Sequence, residues 1–283
     1  MGQVIITEAE IMLYGTVKLG TTAPNTAFSG SLPVKEPIIR DKRYGLFLAH
    51  GYRDLAEAQE LRFRVFNLEL GEGLSESYLT GRDEDLYDHQ CDHLLVRELE
   101  TGSVIGTYRL QTLETAENGY GFYTANEFDI RQIPSHHLKN SVELGRACIA
   151  REHRNGRVLY LLWRGIVKFM RLKSKNVLFG CCSITSQDQK EAWLVYEYTR
   201  RIGVVREDFS VVPLPSFSCL LHTSLAGADA LEVSLPVLFQ KYIDFGATVC
   251  SPPAIDREFK TIDYLVFLNL DEMDQRMLAF FDR

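Results

Sequence analysis

The stretch Glu143-Leu-Gly-Arg146-Ala-Cys148-Ile149-Ala-Arg151-Glu-His-Arg154-Asn155-Gly156 decides how this chain is read, together with the basic segment from Arg157 to Lys175 that follows it. A short apolar run carrying Glu143 and Arg146 reads as a strand. An Arg/Asn/Gly loop follows, and then a helix. A helix that starts at a Gly-containing loop presents unpaired backbone N–H groups and the positive end of its dipole, which suits a phosphate. A carboxylate on the adjoining strand is placed to take a proton from a nucleophile held beside a phosphate-bearing cofactor. Glu143 and Arg146 are three apart and on a flat strand would point to opposite faces. Gly145 between them permits a bulge, and bulges gather beside active sites. Two readings stay open for Glu143: a buried structural ion pair, or a base acting on an amine directly or through water.

Working outward, Tyr44-Gly-Leu-Phe-Leu-Ala49 is a first strand. Asp54 can cap a helix running to about Leu70, with Leu55, Ala58, Leu61, Val65 and Leu68 at helical spacing. A polar, acidic loop over 71–92 precedes strands 93–99 and 104–113, whose Glu-Thr-Gly-Ser link is a hairpin signal. An aromatic, Gly-rich excursion over 120–130 leads through Pro134 to the 142–149 strand. Beyond the basic helix come a strand at 176–184, a helix at 188–202, an extended piece at 209–214, a helix near 236–245 and a strand at 264–270. Mixed hairpin and crossover connections predict an α+β (mixed α/β) fold. Residues 15–37 are rich in Gly, Thr, Ser and Pro. The reading is therefore an N-terminal arm over 1–40 and one domain over 41–283, with its core at about 44–205 and an extension at 206–283.

The chain has 283 residues and a net charge of −7, which argues against nucleic acid as a partner. No apolar run approaches the ~20 residues needed to span a bilayer. The start, Met-Gly-Gln-Val-Ile-Ile-Thr-Glu, lacks the basic and apolar regions of a secretory signal. Six cysteines without framework spacing read as free thiols. The expected location is the cytoplasm, with peripheral contact at the inner membrane face.

Arg109 lies in an otherwise apolar strand and needs a buried partner, for which Asp85, Asp88 and Glu143 are candidates. Arg62 is either a surface charge or part of the same network. The carboxylates and imidazoles of 83–93 match no compact metal motif, so no metal is expected. Arg157, Arg164, Lys168, Arg171 and Lys175 share one helical face opposite Val158, Leu161, Leu162, Ile166, Phe169 and Leu172. A single-sign stripe on an acidic protein suits an acidic partner, such as a carrier protein or an anionic membrane. Ser183 lacks a nucleophile elbow.

Six pieces occur in order: Leu61-Arg62-Phe63-Arg64-Val65-Phe66, Asp83-Glu-Asp85-Leu-Tyr-Asp88, Cys91-Asp-His-Leu-Leu-Val96, Val104-Ile-Gly-Thr-Tyr-Arg109-Leu, Glu143-Leu-Gly-Arg146 and Arg154-Asn-Gly156. With them the chain resembles the GCN5-related N-acetyltransferase (GNAT) fold. More narrowly, it resembles the acyl-carrier-protein-dependent branch of ornithine Nα-acyltransferases and N-acyl amino acid synthases. The tail Pro253-Ala-Ile-Asp256-Arg-Glu-Phe259-Lys-Thr-Ile-Asp263 is similar to the ornithine acyltransferase and hemolysin-like group. The resemblance implies a central mixed, mostly antiparallel sheet flanked by helices, with a C-terminal extension.

It also implies transfer of a long-chain acyl group, 3-hydroxylated or not, from acyl carrier protein to the α-amine of a small amino-acid acceptor, ornithine first, with no permanently bound cofactor. Asp85 and Asp88 would hold the acceptor's ammonium, aided by Arg109, Arg62 and Arg146. Cys148, Ile149, Arg151, Arg154, Asn155 and Gly156 would hold the donor's phosphopantetheine, and a backbone N–H near Ala147–Ile149 its oxyanion. Tyr196 or Tyr198 would protonate the leaving thiolate. Arg154 stands where the general loop has a glycine, which favours a carrier-protein phosphodiester over the pyrophosphate of coenzyme A. Arg157, Arg164, Lys168 and Arg171 would dock the carrier. The rival readings are an acyl-homoserine-lactone-type autoinducer synthase and a non-catalytic carrier-binding or membrane-associated module.

Overall fold

The computed structural model describes residues 36–220 and 233–282. The expected arm therefore lies outside the described residues up to residue 35, and its last part, Ile39–Arg40, already forms β1. The other strands are β2 Tyr44–Leu48, β3 Asp92–Glu98, β4 Val104–Thr112, β5 Ser141–Ile149, β6 Val177–Ile184, β7 Thr248–Val249, β8 Ala254–Asp256 and β9 Thr261–Asn269. The helices are α1 Tyr52–Phe63, α2 Ser77–Thr80, α3 Leu113–Glu117, α4 Ser135–Lys139, α5 Arg157–Leu172, α6 Gln189–Arg201, α7 Val237–Asp244 and α8 Gln275–Phe281. The sheet runs β1-β2-β3-β4-β5-β6-β9-β7, with β8 also on β9. Among the described strands only β5 and β6 pair with each other in parallel, joined through α5 as a crossover requires.

β2, β3 and β4 are antiparallel neighbours: the segment over 49–91, which carries α1 and α2, links β2 to β3, and a short polar turn with Gly102 at φ +72° links β3 to β4. α5 buries Val158, Leu161, Leu162, Trp163, Ile166 and Met170 against this half of the sheet. A Cβ at Gly165 would stand 2.4 Å from the Leu46 side chain, so the glycine lets α5 lie directly on β2. Leu172, expected on the buried face, is instead exposed at the last helical position.

Two expectations are corrected. The helix foreseen over 54–70 is α only to Phe63 and continues as a π-helical turn, Arg64–Leu70. The wider turn carries Phe66 and Asn67 inward and leaves Leu68 exposed, which breaks the 3.6-residue periodicity. Gly51 stands at the N-cap, and Asp54 accepts the His50 N–H at 2.7 Å from within the first turn. The extended piece at 209–214 forms no strand, only an isolated bridge of Pro213 to Phe128.

The 206–283 extension is part of the sheet itself. Its β9 pairs with β6 from Val177↔Asn269 to Ile184↔Ile262. By contrast, β5 and β6 pair only over Ser141–Glu143 and Val177–Phe179. Beyond that point β5 stays with β4 and β6 with β9, so the two halves of the sheet splay apart.

Candidate active site

A cavity of about 270 Å³ fills the splay. Its walls include Gly145, Arg146 and Ala147 of β5, Cys181, Cys182 and Ser183 of β6, and Arg109, Tyr123, Glu143 and Tyr242. Glu143 sits where the parallel pairing ends. Its carboxylate accepts the backbone N–H of Thr124 (2.7 Å) and of Tyr123 (3.0 Å), both at the start of the Tyr123–Asn126 turn. Burial pushes the Glu143 carboxyl up from its usual value, against the pull of these bonds and of Arg109. The result is a carboxylate of raised basicity at a cavity wall, and a pair with Arg146 is not what holds it.

The expected bulge is present. Arg109 opposes Gly145 and Thr107 opposes Cys148, so Arg146 and Ala147 together face the single residue Tyr108. The left-handed residue is Arg146 itself, with φ +49°. This turns its guanidinium over the rings of Tyr123 (4.9 Å) and Phe259 (4.5 Å) and toward the acidic loop.

There, three arginines meet three aspartates. Arg62 pairs with Asp83 (2.7 Å) and with both oxygens of Asp88 (2.8 Å each). Arg109 reaches both oxygens of Asp85 (2.6 and 2.7 Å) and Asp88 Oδ1 (3.0 Å). Arg146 lies 3.3 Å from Asp83 and 3.1 Å from Asp85. Gln59 donates to Asp88 as well, at 2.9 Å. Burial alone would raise the Asp88 carboxyl, but Arg62 and Arg109 outweigh it and hold it well below the usual range. Asp88 is 1% exposed, and both of its oxygens already face arginine. Asp85 and Asp88, expected to hold an acceptor's ammonium, pair here with arginines of the chain itself. Arg62, fully buried, belongs to the network and not to the surface.

On the donor side, Arg151–His153 forms a short 3-10 turn before α5. Asn155 caps the first helical N–H, of Arg157, at 3.1 Å, and Gly156 turns with φ +83°. Arg154 grips Glu69 through two bonds (2.6 and 2.9 Å) and donates to the Ile149 carbonyl (2.9 Å). Arg151 approaches the same Glu69 at 3.4 Å. A cleft of about 630 Å³ lies between this turn and the π-helical segment, walled by Arg64, Leu68, Glu69 and Arg151. Cys148 is buried in the cluster under α1.

Of the basic stripe, Arg157, Lys168 and Arg171 are exposed and Arg164 is half-buried. Lys175 leaves the stripe, buried against Glu114 (2.5 Å). Tyr196 packs edge-on to Trp193, and Tyr198 stacks with Arg201. Neither lines the cavity. The cavity's tyrosines are Tyr123 and Tyr242, the latter bonded to the Tyr108 hydroxyl at 2.8 Å.

Sequence reasoning missed four carboxylates on the cavity wall: Glu72, Glu127, Asp256 and Asp263. The last two stood in the quoted tail motif, without a role.

The chain matches the family model described as Acetyltransferase (GNAT) domain over residues 61–164. It is 32% identical to an L-ornithine N(alpha)-acyltransferase of Brucella abortus over 83% of this chain and 87% of that protein. The chain belongs to that acyltransferase family. An L-ornithine N(alpha)-acyltransferase of Agrobacterium fabrum is likewise 32% identical, over 83% of each chain. Among solved structures, FeeM, an N-acyl amino acid synthase from uncultured soil microbes, is 10% identical with a TM-score of 0.46, over 81% of this chain and 92% of that one. This member of the acyltransferase family is thus an enzyme with a mixed, mostly antiparallel sheet. Among the described residues, no helix is long and apolar enough to cross a membrane.

Proposed function

We propose that the protein transfers a long-chain acyl group from acyl carrier protein to the α-amine of ornithine. The observation that carries this reading is the splay of β5 from β6. It sets a buried carboxylate of raised basicity on the wall of a cavity between the strands, with a Gly-turn helix start on the same strand's far end. The names of the 32%-identical relatives supply the acceptor.

In this mechanism the phosphopantetheine lies in the cleft beside Arg151–Gly156, its phosphodiester at the start of α5. The thioester enters the splay, where β5 has no β6 partner beyond Glu143. Glu143 takes the proton of the acceptor's α-ammonium, directly or through water, because the ammonium has no lone pair for attack. The free amine adds to the thioester carbonyl, and a backbone N–H near Ala147–Ile149 holds the oxyanion. Collapse breaks the C–S bond, and the thiolate takes up a proton. Tyr242, whose hydroxyl is bonded to that of Tyr108 beside Cys182, is the better-placed acid than Tyr196 or Tyr198. The exposed cations of α5 offer a surface to the acidic carrier.

The test is direct. The purified protein is incubated with carrier-bound and coenzyme-A-bound acyl chains against a panel of amino acids, and products are identified by mass. An Nα-acyl ornithine formed faster from the carrier-bound donor supports the reading. Preference for coenzyme A overturns the donor, and acylation of other amino acids only overturns the acceptor.

A further inference from the structure

Four carboxylates of the cavity, Glu72, Glu127, Asp256 and Asp263, have no ion-pair partner among the described residues. Oxygens of Glu127, Asp256 and Asp263 lie within 4.8 Å of one another, all three residues buried. Asp256 Oδ1 accepts two backbone N–H groups, of Glu258 (2.9 Å) and Phe259 (2.8 Å), while its Oδ2 has no partner among the described residues. Glu72 approaches from the end of the π-helical segment and is 7% exposed. Its Oε1 is bonded by Thr185, and its Oε2 has no hydrogen-bond partner among the described residues. Among the described residues no lysine, arginine or histidine forms an ion pair with any of the four. Burying such a cluster without a counter-charge is costly. Burial and mutual repulsion accordingly raise Glu127 well above the usual carboxylate range and Asp263 to about 6.

The turn that builds the cluster also builds the base. Thr124 donates its N–H to Glu143, and Glu127 closes that same turn three residues on. A molecule in the cavity therefore meets Glu143 and the acidic cluster together.

We propose that Glu72, Glu127, Asp256 and Asp263 form the subsite for the side-chain ammonium of a diamino-acid acceptor, and that this subsite sets acceptor specificity. This rests on the reading of the cavity as the acceptor site. An ammonium there meets unpartnered Asp256 Oδ2 and Glu72 Oε2, and it supplies the charge that the cluster lacks. A neutral side chain of the same length would leave the carboxylates uncompensated, and the site rejects it for that reason.

The test compares ornithine with norvaline, which has the same carbon chain without the distal amine. Wild type is measured against Asp256→Asn and Glu72→Gln. Each amide keeps the oxygen that its neighbours bond and loses the charge. The kcat/KM ratio of ornithine to norvaline should fall at least tenfold in either variant. An unchanged ratio overturns the subsite while leaving the acyl transfer standing. Binding is read separately, as the rise in melting temperature of the unmodified protein with ornithine or norvaline. If no amino acid is acylated, the proposed reaction fails, and stabilisation by ornithine that is lost in Asp256→Asn still supports the pocket. Stabilisation by Mg²⁺, Mn²⁺ or Ca²⁺ alone, abolished by the same variants, would make the cluster a metal site and overturn the proposal.

Discussion

A Cβ at Gly180 would lie 2.3 Å from the carbonyl oxygen of Leu144, a backbone atom with no room to yield. This contact lies one residue past the last paired position of β5 and β6, Glu143↔Phe179. Gly180→Ala should therefore cost about 1–3 kcal/mol of stability through forced separation of β5 from β6. Denaturant unfolding measures the loss. A variant as stable and active as wild type would show that the strands have slack.

Removing the charge at Glu143 tests the base. Glu143→Gln keeps an acceptor oxygen for the Thr124 or Tyr123 N–H and should lower kcat by about 10²–10⁴-fold, with the KM of the donor little changed. The base works ionised, so wild-type activity should fall as pH drops through a value above the usual glutamate range. That acidic limb should vanish from the residual activity of the variant. Full kcat at neutral pH would return Glu143 to a structural role.

Asp88 and Asp85 predict acid sensitivity. Both carboxyls are held below their usual values, so their stabilising contribution is complete above about pH 4 and is lost as pH falls through the lower folded-state values. Asp88→Asn leaves three buried arginines facing two aspartates and should cost about 3–5 kcal/mol. Its stability should also depend less on pH below 4. Losses confined to acceptor KM, with melting temperature unchanged, would refute the internal role and restore the external one.

Carrier docking is a surface question. Charge reversal at Lys168 and Arg157, both exposed on α5, should raise KM for a carrier-bound donor at least tenfold at low salt. The KM for a free acyl-pantetheine should hardly move. Equal effects on the two donors would remove α5 from the interface.

The fold was legible where side-chain periodicity is local. The β3–β4 hairpin, the helix between β5 and β6, and the bulge expected beside Gly145 all follow from patterns within a dozen residues. The partnerships were not. Arg62, Arg109 and Arg146 could each be seen to need an acid, but which acid depends on a loop folding across three strands. Asp83, quoted in a motif and given no role, holds two of the three arginines. The acidic subsite was hidden for a stronger reason. Glu72, Glu127, Asp256 and Asp263 span almost two hundred positions and come together only because β9 pairs with β6. The cavity's tyrosines were hidden for the same reason, since α6 follows β6 in sequence but α7 is the helix that reaches the cavity.

The π-helical turn at 64–70 makes residue count carry information that residue identity does not. It hands Glu69 to the donor loop, Phe66 and Leu70 to the cavity wall, and Glu72 to the acidic cluster, all within seven positions. Deleting any one residue there would let the segment close into ordinary α-helix and turn everything after it by about 100°. No side chain need be altered for both substrate sites to lose their ends at once. Within the family this segment should therefore accept substitutions far more readily than gaps.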